Sequence, residues 1–150
     1  MFLIDTDHLA VLQHSASPEF ERLRGRLVSR PAKDFFVSIV SFHEQCQGWN
    51  AYISRARDQR GVVHGYSMFQ RLLADFAVAQ VVPFDDAAAS TFEALRRQKV
   101  RVPTIDLRIA SSALSRELTL LTRNLRDFRK VPELRLQDWT SVEPPGRVTP

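Results

Sequence analysis

Four acidic residues stand where carboxylates could act together, next to the ends of predicted strands or the starts of predicted helices. Asp5 directly follows the apolar run 2–4, and Asp127 follows a fourth apolar segment. Glu44 and Asp106 lie in the first turns of two predicted helices. Carboxylates that are brought together repel one another, and a hard divalent cation such as Mg²⁺ or Mn²⁺ removes that penalty. Such a cation can activate water and stabilise the leaving oxygen of a phosphodiester.

Three of these acids also have a purely structural interpretation in their local sequence. Ser41 and Glu44 have the spacing of a capping box, in which the glutamate reaches back to the amide of the capping residue. Asp5 could cap a helix that runs through the leucines after it, and Asp127 could belong to a turn. These interpretations treat each residue separately, so they do not explain why all fall at one edge of the predicted sheet.

Asp106 has a structural alternative as well, but its surroundings favour a ligand. It lies two residues after Thr104, a candidate N-cap, where a carboxylate gains about 0.3–1 kcal/mol from the helix dipole. It also heads a helical stripe of apolar residues, namely Ile109, Ala110, Ala113 and Leu114. A carboxylate on an inward-facing stripe is costly unless something binds it.

Basic residues are concentrated around the last two acids. Residues 108–135 hold seven lysine and arginine residues against three acidic ones, an excess equal to the +4 of the whole chain. Arg108, Arg123 and Arg126 lie beside these acids, and guanidinium groups pair well with phosphate oxygens. With a sequence pI near 9.8, this pattern indicates a polyanionic partner, although a solvated basic surface has the same composition.

Alternating strand and helix patterns predict the elements that must position these residues. Apolar and β-branched segments predict five strands, at 2–4, 35–40, 80–84, 118–122 and 134–139. The last of these strands is expected at an edge of the sheet. Capping residues and apolar stripes predict helices from Ser17-Pro18, from Ser41, around 69–76, and over 86–98 and 104–117. This order predicts an α/β fold, a three-layer α/β/α sandwich with a mostly parallel central sheet. Because right-handed crossovers bring strand carboxyl ends and helix N-termini to one edge, we expect the four acids to meet there.

The overall composition excludes several classes of protein. The 150 residues are 44% hydrophobic and 25% charged, which is typical of one globular domain and unlike a disordered chain. No apolar run approaches the ~18 residues of a membrane span. A single cysteine, Cys46, excludes an intramolecular disulfide and a zinc site of paired cysteines. We therefore expect one domain over 1–140, a frayed tail over 141–150 and a cytoplasmic location.

The other residues with chemical potential have simpler expected roles. Four histidines show no metal-ligand spacing and are expected on the surface or in packing: His8, His14, His43 and His64. Trp49 and Tyr52 are expected to pack, with stacking on RNA bases as the alternative. The five glycines form no phosphate-binding loop after a strand, which argues against a nucleotide-binding fold.

Four segments of the chain resemble the motifs of PIN domains and occur in the same order. They are LIDTD at 3–7, SIVSFHE at 38–44, DLRIA at 106–110 and LTRNLRDF at 121–128. The chain is most similar to the VapC-type ribonuclease toxins of bacterial toxin–antitoxin pairs, over about residues 1–140. It departs from that pattern at Asp7, where many relatives carry Asn, and at Pro103 and Glu133, where Gly is frequent.

The resemblance implies a small α/β/α sandwich, usually a homodimer, that cleaves RNA endonucleolytically with Mg²⁺ or Mn²⁺. The acidic metal ligands that it implies are Asp5, Glu44, Asp106 and Asp127, with Thr6 and Asn124 as polar supporting residues. The nearby arginines, Arg108, Arg123 and Arg126, would then bind RNA. A small antitoxin protein would block the site.

Two alternative functions remain open at this point. A phospho-receiver switch also has a doubly wound sheet and binds Mg²⁺, and here Asp85 would accept the phosphate with Thr122 and Lys130 as contacts. This alternative leaves Glu44 and Asp106 without a role. The second alternative is a PIN-like scaffold that binds RNA or protein without cleaving.

Overall fold

A five-stranded parallel sheet lies at the centre of the fold in the computed structural model, which describes residues 1–14 and 16–142. The strands are β1 (Phe2–Ile4), β2 (Phe35–Ser38), β3 (Val81–Val82), β4 (Thr119–Leu121) and β5 (Leu136–Gln137). Their order is β3-β2-β1-β4-β5, and every neighbouring pair is parallel. The predicted α/β class and parallel sheet are confirmed, with β5 at an edge.

Helices cover both faces of this sheet, as the pattern of alternating elements predicts. They are α1 (Thr6–Gln13), α2 (Pro18–Val28), α3 (Ile39–Arg55), α4 (Gln59–Val78), α5 (Asp86–Arg97), α6 (Thr104–Leu114) and the short α7 (Leu125–Phe128). A 3₁₀ turn over Ala32–Asp34 precedes β2. Alternate residues of β1 face opposite layers, since Leu3 packs in one apolar cluster and Phe2 and Ile4 pack in another.

The start of α3 differs from the sequence-based prediction. The strand prediction 35–40 is two residues too long, and Ser41 does not begin the helix. Instead Ser38 caps α3, with its hydroxyl accepting from the Val40 amide at 3.0 Å. Ile39 and Val40 favour a strand by their β-branched side chains, but a cap at Ser38 ends the strand before them.

Other predicted boundaries are also too long. β3 and β5 contain two residues each, and α6 ends at Leu114 rather than at residue 117. Thr104 is the first residue of α6 and not its cap, because Pro103 holds the capping position without a side-chain hydrogen bond. The prediction that Ser17 caps a helix with Pro18 at its first position is confirmed.

Most of the predicted frayed tail over 141–150 lies outside the described residues, which end at 142. Trp139 and Thr140 are buried and belong to the packed part of the fold. Within the described ranges, no helix has the length and apolar character needed to cross a membrane.

Candidate active site

Asp5 and Thr122 meet because the strands before them are paired in register. Ile4 in β1 and Leu121 in β4 are Cα partners, so the residues after them lie side by side at the carboxyl edge of the sheet. The Thr122 hydroxyl donates to Asp5 Oδ2 at 2.8 Å, and the Asp5 amide donates to the Leu121 carbonyl at 3.0 Å. The register of two central strands therefore positions the first predicted acid.

Asp5 is a buried carboxylate among other acids. It caps α1, where Oδ1 accepts from the Thr6 amide at 2.8 Å, so its structural interpretation as an N-cap is correct. Burial, followed by the charges of Asp7 and Asp106, raises the pKa of Asp5 to about 7, although the hydrogen bonds from Thr122 and Thr6 oppose the shift. A helix cap alone does not need a buried charge, so the environment of Asp5 indicates a further purpose.

Glu44 reaches the same edge from α3. Because α3 begins at Ile39, Glu44 lies in the second turn, and the interpretation of Ser41 and Glu44 as a capping box is wrong. The Glu44 carboxylate instead accepts from the Thr6 hydroxyl, with 2.5 Å between the two oxygens. Glu44 is therefore held beside the residue that follows Asp5.

Asn124 joins the other two acids of the predicted site. Its side-chain nitrogen lies 3.3 Å from Asp106 Oδ2 and 3.3 Å from Asp127 Oδ2. Its backbone amide donates to the Thr122 hydroxyl at 3.0 Å, and Thr122 in turn binds Asp5. All four predicted acids thus belong to one hydrogen-bonded network, which runs from Glu44 through Thr6 and Asp5 to Thr122 and Asn124.

The two acids beside Asn124 differ in charge environment. Partial burial, followed by the charges of Glu44, Asp127 and Asp7, raises the pKa of Asp106. The half-buried Asp127 accepts from Lys130 Nζ at 2.7 Å, and this contact is the main cause that lowers the pKa of Asp127. Asp127 is thus already paired with a lysine, whereas Asp106 lies among negative charges and forms no ion pair within the described residues.

Asp7 is a fifth acid at this edge, and it is held on both oxygens. Oδ2 accepts from the Arg123 amide at 2.7 Å, and Oδ1 lies 2.9 Å from His8 Nδ1. Burial works to raise the pKa of Asp7, but the His8 contact and the hydrogen bonds from Arg123 and Thr122 lower it overall. The sequence predicts only a surface or packing role for His8, because no residue spacing indicates its contact with Asp7.

The three predicted RNA-binding arginines surround the acids in different ways. Arg123 is exposed and lines a crevice of about 460 Å³ together with Asp7 and Glu19. Arg126 is exposed and close enough for its charge to contribute to the lowered pKa of Asp127. Arg108 lies on α6 with its guanidinium carbon 5.9 Å from the centre of the Phe92 ring.

The donor set fits a hard divalent cation in type and charge, although the side chains are not preassembled around one. Among residues 1–14 and 16–142, no three histidine, cysteine, aspartate or glutamate side chains form a ready-made set of metal ligands. Equally, no lysine, arginine or histidine in those ranges forms an ion pair with Asp5, Glu44 or Asp106. Carboxylates that lie together without an ion-pair partner repel one another, and this is the kind of cluster that Mg²⁺ or Mn²⁺ neutralises.

The residues of the receiver alternative are engaged elsewhere. Asp85 caps α5 through the Ala88 amide and forms an ion pair with Arg116 at 2.6 Å. Thr122 binds Asp5, and Lys130 binds Asp127. The geometry therefore gives no support to Asp85 as a phosphate acceptor with those contacts.

Comparisons with known proteins agree with this architecture. The family model for the PIN domain matches residues 2–134. The tRNA(fMet)-specific endonuclease VapC of Salmonella typhimurium is 36% identical over 64 residues, 40% of this chain and 48% of that protein, so the match spans about half of that relative. The crystal structure of FitAcB from Neisseria gonorrhoeae has a TM-score of 0.66 at 21% identity, covering 91% of this chain and 96% of that one. A toxin–antitoxin complex from Klebsiella pneumoniae has a TM-score of 0.64 at 22% identity, covering 89% and 95%.

Proposed function

The chain belongs to the PIN domain family, and from this premise we propose that it is a metal-dependent endoribonuclease, the toxin of a type II toxin–antitoxin pair. One observation carries the proposal. Asp5, Glu44 and Asp106 lie in a single hydrogen-bonded network at the carboxyl edge of a parallel sheet, and none of these three forms an ion pair with a basic side chain of the described residues. Open α/β folds bind their ligands at this edge.

Asp5, Glu44 and Asp106 would hold Mg²⁺ or Mn²⁺, with Asp127 as the outer acid because Lys130 already binds it. When bound, the cation supplies an activated water and charge stabilisation at the scissile phosphate. The chain itself keeps the acids in place through three polar side chains, which are Thr6 on Glu44, Thr122 on Asp5 and Asn124 on Asp106.

The arginines would bind the RNA backbone on either side of the acids. Arg123 and Arg126 are exposed next to the site, and neither forms an ion pair within the described residues, so both can pair with phosphate oxygens. Arg108, two residues after Asp106, would contribute a third positive charge. The crevice beside Asp7 and Arg123 is wide enough, at about 460 Å³, to admit part of a nucleotide.

A cleavage assay with matched variants tests the nuclease proposal. We expect the purified wild type to cleave structured RNA with Mn²⁺ and to lose this activity in EDTA. Asp106→Asn should lower the rate by at least about 100-fold, whereas Asp86→Asn, at the first turn of α5 and outside the network, should not change it. RNA binding with no cleavage in any divalent cation would instead support the scaffold alternative.

The proposed partners follow from the same family membership. We propose an antitoxin protein as the cognate inhibitor, since one solved structure of similar fold is a toxin–antitoxin complex. We further propose a homodimer that acts in the cytoplasm. An overlapping upstream reading frame whose product suppresses RNA cleavage at equimolar concentration would identify the antitoxin, and sedimentation analysis would measure the oligomeric state.

A further inference from the structure

His8 is fully buried near the start of α1, and each of its ring nitrogens has a hydrogen-bond partner. Nδ1 lies 2.9 Å from Asp7 Oδ1. Nε2 lies 3.2 Å from the backbone nitrogen of Trp139, a residue near the end of the described chain. The imidazole therefore bridges an acid at the site edge and a distant segment of the fold.

The partners of His8 define which nitrogen carries the proton. The Trp139 amide can only donate, so Nε2 accepts and Nδ1 carries the hydrogen that is donated to Asp7. Asp138 Oδ1 lies 3.7 Å from Nε2, but that oxygen already accepts from the amide and the hydroxyl of Thr140 at 2.8 and 2.6 Å. The geometry thus assigns the ring as a directed donor to Asp7.

Asp7 connects His8 to the active-site edge through its other carboxylate oxygen. Its second oxygen accepts from the Arg123 amide at 2.7 Å and lies 3.3 Å from the Thr122 hydroxyl, the group that donates to Asp5. We propose that His8 is a positioning residue of the site, which fixes the Asp7 carboxylate and through it the turn at Thr122 and Arg123. This inference rests on the proposed nuclease function.

The segment behind His8 is itself firmly held, which makes it a suitable support. Arg22 of α2 donates to the Thr140 carbonyl at 2.6 Å, and the Trp139 ring packs 4.8 Å from the Phe2 ring. His8 thus links this part of the fold to Asp7, whose carboxylate accepts from the Arg123 amide in the turn after β4. Outer residues of this kind orient the groups that bind a metal or substrate.

Two substitutions of His8 separate positioning from simple stability. The side-chain amide of Asn places its nitrogen near the position of Nδ1, so His8→Asn keeps a donor for Asp7 and loses the acceptor for Trp139. His8→Gln reaches the position of Nε2, so it keeps the acceptor and loses the donor. Because each variant loses one hydrogen bond, both should unfold at a lower urea concentration than the wild type, by a similar shift in midpoint.

Only loss of the donor to Asp7 should affect the site. We expect His8→Gln to lower kcat for RNA cleavage by about tenfold or more and to weaken Mn²⁺ binding in calorimetry, with little change in KM. His8→Asn should stay near wild type in both measurements. Equal losses in the two variants, or none in either, would overturn the positioning role.

Further measurements keep this test independent of the nuclease proposal. If the wild type binds Mn²⁺ but cleaves no RNA, the nuclease proposal fails, while the Mn²⁺ affinities of the two variants still decide the role of His8.

In ¹⁵N NMR without metal, we expect the wild-type protein to carry a proton on Nδ1 of His8. We expect a shifted Arg123 amide signal in His8→Gln only. Should that variant not fold, Asp7→Asn tests the same bond from its half-exposed end, because His8 and Arg123 bind different oxygens of the carboxylate and the amide keeps only one of them. An unshifted Arg123 amide in Asp7→Asn would contradict the proposal.

Discussion

Thr6 and Glu44 lie 38 residues apart in the chain, yet the Thr6 hydroxyl donates to Glu44 Oε2 across 2.5 Å. This contact joins the first residue of α1 to the second turn of α3. Thr6 also donates its backbone amide to Asp5, so one residue orients two acids from different elements. A short hydrogen bond to a carboxylate is stronger than one between neutral groups.

Replacing Thr6 by valine should therefore affect the site more than the fold. Thr6→Val keeps the shape of the side chain and the backbone bond to Asp5, but it leaves Glu44 without its donor. We expect kcat for RNA cleavage to fall by about tenfold or more, with a loss of unfolding free energy of about 1 kcal/mol.

Thr91→Val provides the control for this substitution. The Thr91 hydroxyl donates to the Ala87 carbonyl within α5, away from the acids, so its loss should leave cleavage unchanged. Single-turnover cleavage and urea denaturation of both variants make the comparison. A Thr6→Val protein with full activity would show that Glu44 does not depend on this contact.

Asp5→Asn should abolish cleavage and at the same time stabilise the metal-free protein at pH 8. The pKa of Asp5 is raised to about 7 by burial and by Asp7 and Asp106, so ionisation above that pH opposes folding. The difference from the usual value of 3.8 sets an upper limit of about 4 kcal/mol on the gain. The amide oxygen can still accept from the Thr6 amide.

Urea denaturation at two pH values measures this effect. At pH 8 the variant should unfold at higher urea concentration than the wild type, whereas near pH 4, where folded Asp5 is protonated, the two should be similar. A variant that is less stable at pH 8 in EDTA would mean that the buried charge is compensated by the chain itself.

The same residue predicts a link between pH and cation binding. Because the folded pKa of Asp5 exceeds its unfolded value, its stabilising contribution is complete below pH 3.8 and is lost as the pH rises to about 7. A bound Mn²⁺ would favour the ionised form, so the increase in melting temperature on adding Mn²⁺ should grow from pH 5 to pH 7 and then level off.

Thermal melts with Mn²⁺ or EDTA across this range provide the measurement, and Asp5→Asn is the control, since it should remove most of the pH dependence. Asp7 and Asp127 affect stability at more acidic pH, because the pKa of each is lowered by folding. Their contributions to stability are present above the unfolded pKa and are lost as the pH falls. A Mn²⁺ effect that is constant from pH 5 to pH 8 would contradict a role for Asp5 as a ligand.

The sequence predicts the acids better than it predicts what holds them. Asp5 can be located because it ends an apolar strand, and Asp106 because it heads an inward stripe; both are local patterns. The sequence predicts Glu44 at the correct edge but with a wrong helix start, since β-branched residues obscure the cap at Ser38. His8 could not be found this way, because its partner Trp139 is 131 residues distant and is brought close only by tertiary packing.

Ser38 and Ser41 allow a direct test of where α3 begins. The Ser38 hydroxyl accepts from the Val40 amide, so Ser38→Ala should lower the free energy of unfolding by about 1 kcal/mol, as is usual for loss of an N-cap. The Ser41 hydroxyl is buried inside the helix and has no hydrogen-bond partner among the described residues. A buried unpaired hydroxyl is costly, so Ser41→Ala should raise the free energy of unfolding by about 1 kcal/mol. Chemical denaturation of the two variants measures both changes, and the opposite order of stability would restore Ser41 as the cap of the helix that carries Glu44.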